Sequence, residues 1–150
     1  MPKTLGYMIT WSTYGTWLQG DDRRYVKNGR ILAPNKSFVD SNKSTLVRNP
    51  VKLSKNQRQI IRIAIIDKAK KLKHNILALS VASTHIHLVL QYSPNPLGRI
   101  VSHYKNAALI ALRTTGIKGR IWTAGYDKRY CFDKKSLNQR INYVLSHKST

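Results

Sequence analysis

Apolar residues recur along this chain in two rhythms, and the change from one to the other marks its elements. "LGYMITWSTYG" (5–15) mixes aromatic and β-branched residues and ends at glycine, the composition of a strand. In "KNQRQIIRIAIIDKAKKLKH" (55–74), Ile61, Ala64, Ile65, Ala69 and Leu72 fall three and four positions apart. That spacing, with Ser54 as cap, predicts an amphipathic helix. "NILALSVAS" (75–83) and "HIHLVLQY" (85–92) read as two strands close enough to pair. "SPNP" (93–96) breaks the chain, and "LGRIVSHYKNAALIALRTT" (97–115) is a second amphipathic helix stopped by Gly116. "GRIWTAGYDKRYCF" (119–132) holds one or two short strands, and Ser136 caps a last helix over 137–148.

The order strand, helix, strand, strand, helix, strand, helix predicts an α+β fold of ferredoxin-like type. Its mainly antiparallel sheet would have helices packed on it. One domain spanning 1–150 fits the length, which is enough to bury a real core. Residues 16–53 stand apart. Gly20, "DDRR", "KNGR", "APNKS", "DSNKS" and "RNP" are turn-forming clusters with scattered bases. They predict a basic loop excursion with room for a short hairpin. Within "GTWLQGDD", Gly15 and Gly20 have phosphate-loop spacing, but Asp21 stands where the lysine belongs, so the stretch reads as a turn.

Charge narrows the partners. The chain has 27 Lys plus Arg against six acids, all Asp, for a net +21. Part of the Lys excess can follow genome composition, since Asn and Ile are also plentiful. The remainder calls for a polyanion: nucleic acid first, an anionic membrane surface second. No apolar run reaches the roughly 18–20 residues of a membrane span. "MPKTLGYMIT" lacks the apolar region and cleavage site of a signal peptide. The single Cys131 excludes an internal disulfide framework and a cysteine-based zinc site. A cytoplasmic, nucleoid-associated protein is expected.

The candidate chemistry starts at "THIHLVL". In a strand, His85 and His87 share one face about 6.6 Å apart along the chain, while Ile86, Leu88 and Leu90 point into the core. Two imidazoles on one face can share a divalent ion or grip a phosphate. They can also be no more than surface histidines on a solvated face. The last helix adds weight to the first option. At about 100° per residue, Leu137, Ile141, Val144 and Leu145 form its core stripe, and Tyr143 falls off that stripe beside His147 and Arg140. A tyrosine hydroxyl can attack a phosphodiester and form a phosphotyrosine. A divalent ion (Mg²⁺ or Mn²⁺) held by His85, His87 and a third ligand such as His147 would polarise the scissile phosphate. Imidazole ligands favour Mn²⁺ of the two. Around Trp122, the tyrosines Tyr126 and Tyr130 with Lys128 and Arg129 suit base stacking and backbone contacts to a single strand. Ordinary sheet packing would explain them equally well. Lys105, Arg120 and Arg140 join them as candidate DNA contacts.

Together these residues resemble the HUH single-strand transposases with one catalytic tyrosine, which include the REP-associated tyrosine transposases. The resemblance rests on the opening "GYMITWSTYGTWLQGD", the "THIHLVL" strand, the "IWTAGYDKRYCFD" segment and the terminal "INYVLSHK". It covers nearly the whole chain, least in residues 21–55. It implies a divalent metal and cleavage of single-stranded DNA beside a hairpin or palindrome. A 5′-phosphotyrosine intermediate and a free 3′-hydroxyl for rejoining follow from it. By motif position, His85 and His87 take the two-histidine role and Tyr143 that of nucleophile. His147 stands where such proteins often carry Gln or Asn, so it either binds the metal or only contacts DNA. Members act as monomers or as homodimers that exchange the tyrosine helix. Two other readings stay open: a non-catalytic hairpin-binding relative, and a replication-initiator type of nickase.

Overall fold

The computed structural model describes residues 3–15 and 50–147, together with the backbone of two short strands between them. In chain order these are β1 (Gly6–Ser12), β2 (Tyr25–Lys27), β3 (Arg30–Leu32), α1 (Lys55–Leu72), β4 (Ile76–Val81), β5 (His85–Gln91), α2 (Leu97–Arg113), β6 (Asp127–Cys131) and α3 (Lys134–Ser146). The main sheet has the order β4-β5-β1-β6, and every neighbouring pair is antiparallel. Helix α1 links β1 to β4 with β5 between them. Helix α2 links β5 to β6 with β1 between them. This is the split βαβ arrangement that the order of elements predicts.

The two faces of the sheet carry different cores. On one face Tyr7, Ile9 and Trp11 of β1 and Ile86, Leu88 and Leu90 of β5 pack against Ile61 and Ile65 of α1 and Ile100 and Tyr104 of α2. On the other face Met8, Ala78 and Val89 meet Val144, Leu137 and Ile141 of α3. Strand alternation thus sends Ile86, Leu88 and Leu90 under the helix pair and leaves His85 and His87 on the α3 side.

Local signals set the helix ends. Ser54 caps α1 in a capping box, with its Oγ accepting from Gln57 N at 3.2 Å and Gln57 Oε1 accepting from Ser54 N at 2.8 Å. Helix α3 begins earlier than Ser136 predicts. Asp133 is the cap, and its carboxylate accepts from Ser136 N at 2.7 Å. An ionised carboxylate is the stronger partner for those amides. The core stripe of α3 is also narrower than predicted, since Leu145 is exposed. Val144 takes the fully buried place, and Leu145 lies about 100° further round the helix.

The excursion contains the expected hairpin, in which β2 pairs with β3. The remainder of 16–49, including the phosphate-loop-like "TWLQGDD", lies outside the described residues. Its two ends are held together. Val51 N donates to Tyr14 O at 2.8 Å, and Thr13 Oγ1 donates to Val51 O at 2.6 Å. Gly15 adopts φ +81°, and a Cβ there would come within 2.9 Å of Pro50 Cα. Both facts require glycine at this position.

Under α1 and α2, His74 Nδ1 shares a hydrogen bond of 2.7 Å with the buried Tyr104 hydroxyl. Its Nε2 is buried without a partner. Burial, then the nearby His103, hold His74 below the ordinary value of 6.5. The unfolded chain therefore binds a proton more readily than the folded one as pH falls below about 6.5. Thermal stability should decline with acidification through that range. His74→Gln should make the decline shallower in a Tm-against-pH profile, and an unchanged slope would contradict the assignment.

Candidate functional site

The α3 face of the sheet brings together three of the five histidines and one tyrosine. Strand β5 places His85 and His87 side by side, with ring centroids 6.3 Å apart and planes within 7° of parallel. Each ring is oriented by a threonine. Thr84 Oγ1 lies 2.7 Å from His85 Nδ1, and Thr10 Oγ1 lies 2.9 Å from His87 Nδ1. The register produces the second contact, because Thr10 of β1 pairs directly with His87. In both rings the Nδ1 edge is committed to the protein, which turns Nε2 to the opposite side.

His87 is 8% exposed. Burial, then the neighbouring His147 and His85, push it down to about 4. It is therefore neutral at physiological pH, the protonation state that a metal-ligating imidazole needs.

Helix α3 delivers the other two rings from the same chain. Tyr143 is 44% exposed, and its ring lies 5.9 Å from that of His87, edge to face. His147, the C-cap of α3, packs against both, 4.7 Å from His87 and 4.6 Å from Tyr143. Ser80 Oγ of β4 donates to His147 O at 3.3 Å and fastens the end of the helix to the sheet. The strand face bearing the two histidines thus meets the helix face bearing Tyr143 within one chain. Among the described residues no group of three or more His, Cys, Asp or Glu side chains is placed to hold a metal ion together. The donor chemistry of His85 and His87, two imidazoles oriented by hydroxyls, fits a divalent ion that takes its remaining ligands from water or phosphate oxygens.

The bases and aromatics picked out from the sequence divide. Trp122 offers no surface for stacking. It is 7% exposed, packs edge-on against Trp11 at 6.0 Å and donates Nε1–H to Lys105 O at 3.0 Å. Lys105 is a loop clamp, with its ammonium donating to Thr123 O at 3.1 Å and Gly125 O at 3.2 Å. A charge spent on two carbonyls is poorly placed to reach a phosphate. Arg120 is exposed, donates Nε–H to Trp122 O at 3.0 Å and lies 4.9 Å over the Tyr14 ring. Lys128 and Arg129 are exposed on β6, where Arg129 pairs with Asp127 at 3.5 Å. Arg140 is half-buried near the Cys131 thiol, which burial pushes up and the guanidinium pulls only partly back.

Sequence reasoning missed Thr10, Ser80 and Thr84. Thr84 stands next to His85 and was visible. Thr10 and Ser80 become relevant only through pairing register, which local pattern does not give.

No protein-family model matches the chain, and no curated protein matches it. Solved structures do. A REP-associated tyrosine transposase bound to a REP hairpin superposes with a TM-score of 0.57 at 14% identity, over 96% of this chain and 67% of the other. A protein described as a transposase from Deinococcus radiodurans R1 aligns over 100% of this chain and 95% of its own at 14% identity. Its TM-score of 0.48 is too low to bear weight. At such identities the first likeness speaks for architecture alone: this chain is built on the fold of the REP-associated tyrosine transposase.

Proposed function

We propose that the chain is a transposase of the single-tyrosine HUH type, a metal-dependent endonuclease and strand transferase acting on single-stranded DNA beside a hairpin. One observation carries this reading: a half-exposed tyrosine on α3 stands against the buried face of a paired-histidine strand. The shared fold with a transposase bound to a REP hairpin supports it, as does the net charge of +21.

In this reading the Tyr143 oxygen attacks the scissile phosphorus and its hydroxyl proton leaves. The bond from phosphorus to the 3′ oxygen breaks, and that oxygen takes up a proton. The products are a 5′-phosphotyrosine and a free 3′-hydroxyl. Attack by a 3′-hydroxyl on the phosphotyrosine reverses the exchange, rejoins the strand and returns the proton to Tyr143. His147 packs against the Tyr143 and His87 rings, and Ser80 fixes the end of the helix that carries His147 and Tyr143. His85 and His87 would hold the divalent ion, Mg²⁺ or Mn²⁺, which when bound supplies charge stabilisation at the phosphate.

The test is incubation with single-stranded hairpin DNA and Mn²⁺, followed by denaturing electrophoresis. A protein–DNA species resistant to denaturation is expected, and its absence across hairpin substrates would refute the reading. The threonine that orients His87 gives a finer check. Thr10→Val should lower metal-dependent cleavage by roughly 10–100-fold, the usual effect of losing a partner behind a ligand. Binding of the same DNA without metal should stay unchanged.

A further inference from the structure

Strand β6 is an edge of the sheet, and its two faces differ. Tyr130 pairs with Tyr7 and Lys128 with Ile9, so both lie on the side that α1 and α2 cover elsewhere. The helices do not reach this far, since no β6 residue belongs to the core beneath them. What remains open is a row of large aromatics. Tyr126 is 36%, Tyr130 44% and Phe132 49% exposed, and Tyr92 from the end of β5 is 53% exposed. Exposed aromatics normally scatter singly. Here two of them pair: Tyr130 and Phe132 stack at 6.3 Å within 20° of parallel, and Lys128 Nζ sits 5.8 Å over the Tyr130 ring.

Tyr7 holds the group in place. Its buried ring meets Tyr130 edge-on at 6.0 Å and Tyr92 at 6.3 Å. Its hydroxyl donates to Ser93 O and accepts from Ser93 N, both at 2.9 Å. Tyr130 and Tyr92 are thus held by Tyr7, and Phe132 by its stack on Tyr130, before any ligand arrives. The charge around them is positive. Lys128 is exposed on the same side and Lys134 and Lys135 at the start of α3, while Arg129, paired with Met8, faces the other side. Of the two acids on the same segment, Asp127 pairs with Arg129 and Asp133 caps α3.

We propose that Tyr126, Tyr130, Phe132 and Tyr92, with Lys128, form a stacking platform for unpaired bases of a nucleic-acid strand that passes around the β6 edge. Flat, ordered rings suit the faces of bases and tolerate any sequence, while the lysines meet the phosphates. Base-paired DNA keeps its base faces stacked internally and cannot use such a surface. The platform lies on the opposite face of the sheet from His85, His87 and Tyr143. It therefore engages DNA flanking the cleavage point, and it rests on the reading of single-stranded DNA as the substrate.

The probe is a labelled oligothymidylate of roughly a dozen nucleotides, with a blunt duplex of equal length as control, followed by anisotropy at fixed salt. Tyr130→Ala/Phe132→Ala should bind the oligothymidylate roughly ten- to a hundredfold more weakly and the duplex unchanged. Tyr130→Phe should bind like the parent. Unchanged oligothymidylate affinity in the double variant, or an equal loss on the duplex, would overturn the platform and leave the surface to a protein partner. If the double variant melts early, Phe132→Ala alone, further from Tyr7, carries the same expectation. The chemistry separates cleanly from this result. The double variant should still form its adduct at saturating hairpin DNA. Parent protein that forms no adduct but binds through these aromatics would refute the transposase reading and leave the platform standing.

Discussion

Tyr143→Phe is expected to abolish the covalent protein–DNA adduct while leaving hairpin binding intact. The substitution removes a single oxygen. The ring keeps its contacts with His87 at 5.9 Å and His147 at 4.6 Å, so α3 has no reason to shift. Because the position is 44% exposed, the hydroxyl is not an element of the core and its loss should leave Tm almost unchanged. Removing a nucleophile costs far more than removing a binding contact, and a drop of at least roughly 10³-fold is expected. Denaturing gels read the adduct, and anisotropy on the uncleaved hairpin reads binding. An adduct that persists in Tyr143→Phe would transfer the role to another residue.

His85→Ala/His87→Ala should suppress cleavage by roughly 10³-fold or more and make the residue of activity insensitive to added Mn²⁺. A metal at the phosphate supplies several kcal/mol of transition-state stabilisation, and each 1.36 kcal/mol is about tenfold in rate. The more telling readout is the metal titration. Parent protein should lose activity to a chelator and regain it with Mn²⁺, whereas the double variant should respond to neither. His87 is buried, so Tm must be measured alongside. Thr10 also loses its partner in this variant, and the milder Thr10→Val separates that effect. Cleavage at the parent rate in a folded double variant would place the active site elsewhere.

Much of this arrangement could be read in the chain because it follows from local periodicity. The alternation of "HIHLVLQ" put His85 and His87 on one face, and the 3.6-residue repeat of the last helix put Tyr143 off its apolar stripe. What could not be read depended on register and on where elements stop covering one another. Trp122 looked like part of a stacking surface because Tyr126, Tyr130, Lys128 and Arg129 follow it, yet a bridge between Thr13 and Trp122 carries it into the core against Trp11. Phe132 and Tyr92 drew no notice in sequence, being forty residues apart. They come to one face of the sheet only because β5 and β6 both pair with β1. Leu145 shows the limit of helical projection. A helix lying on a sheet buries a narrow stripe, and a residue 100° away remains in water.

The closed ends of the excursion have a consequence for how this chain can change. Among the described residues, segment 16–49 departs and returns through one doorway, where Val51 bonds to Tyr14 and Gly15 lies against Pro50. With both posts fixed by the sheet, the entropic penalty of a longer or shorter segment grows only as the logarithm of its length. The β1–β5 register that pairs Thr10 with His87 is set by those two strands. A change in the length of the excursion therefore meets a small entropic cost at a doorway that Gly15 and Pro50 keep closed.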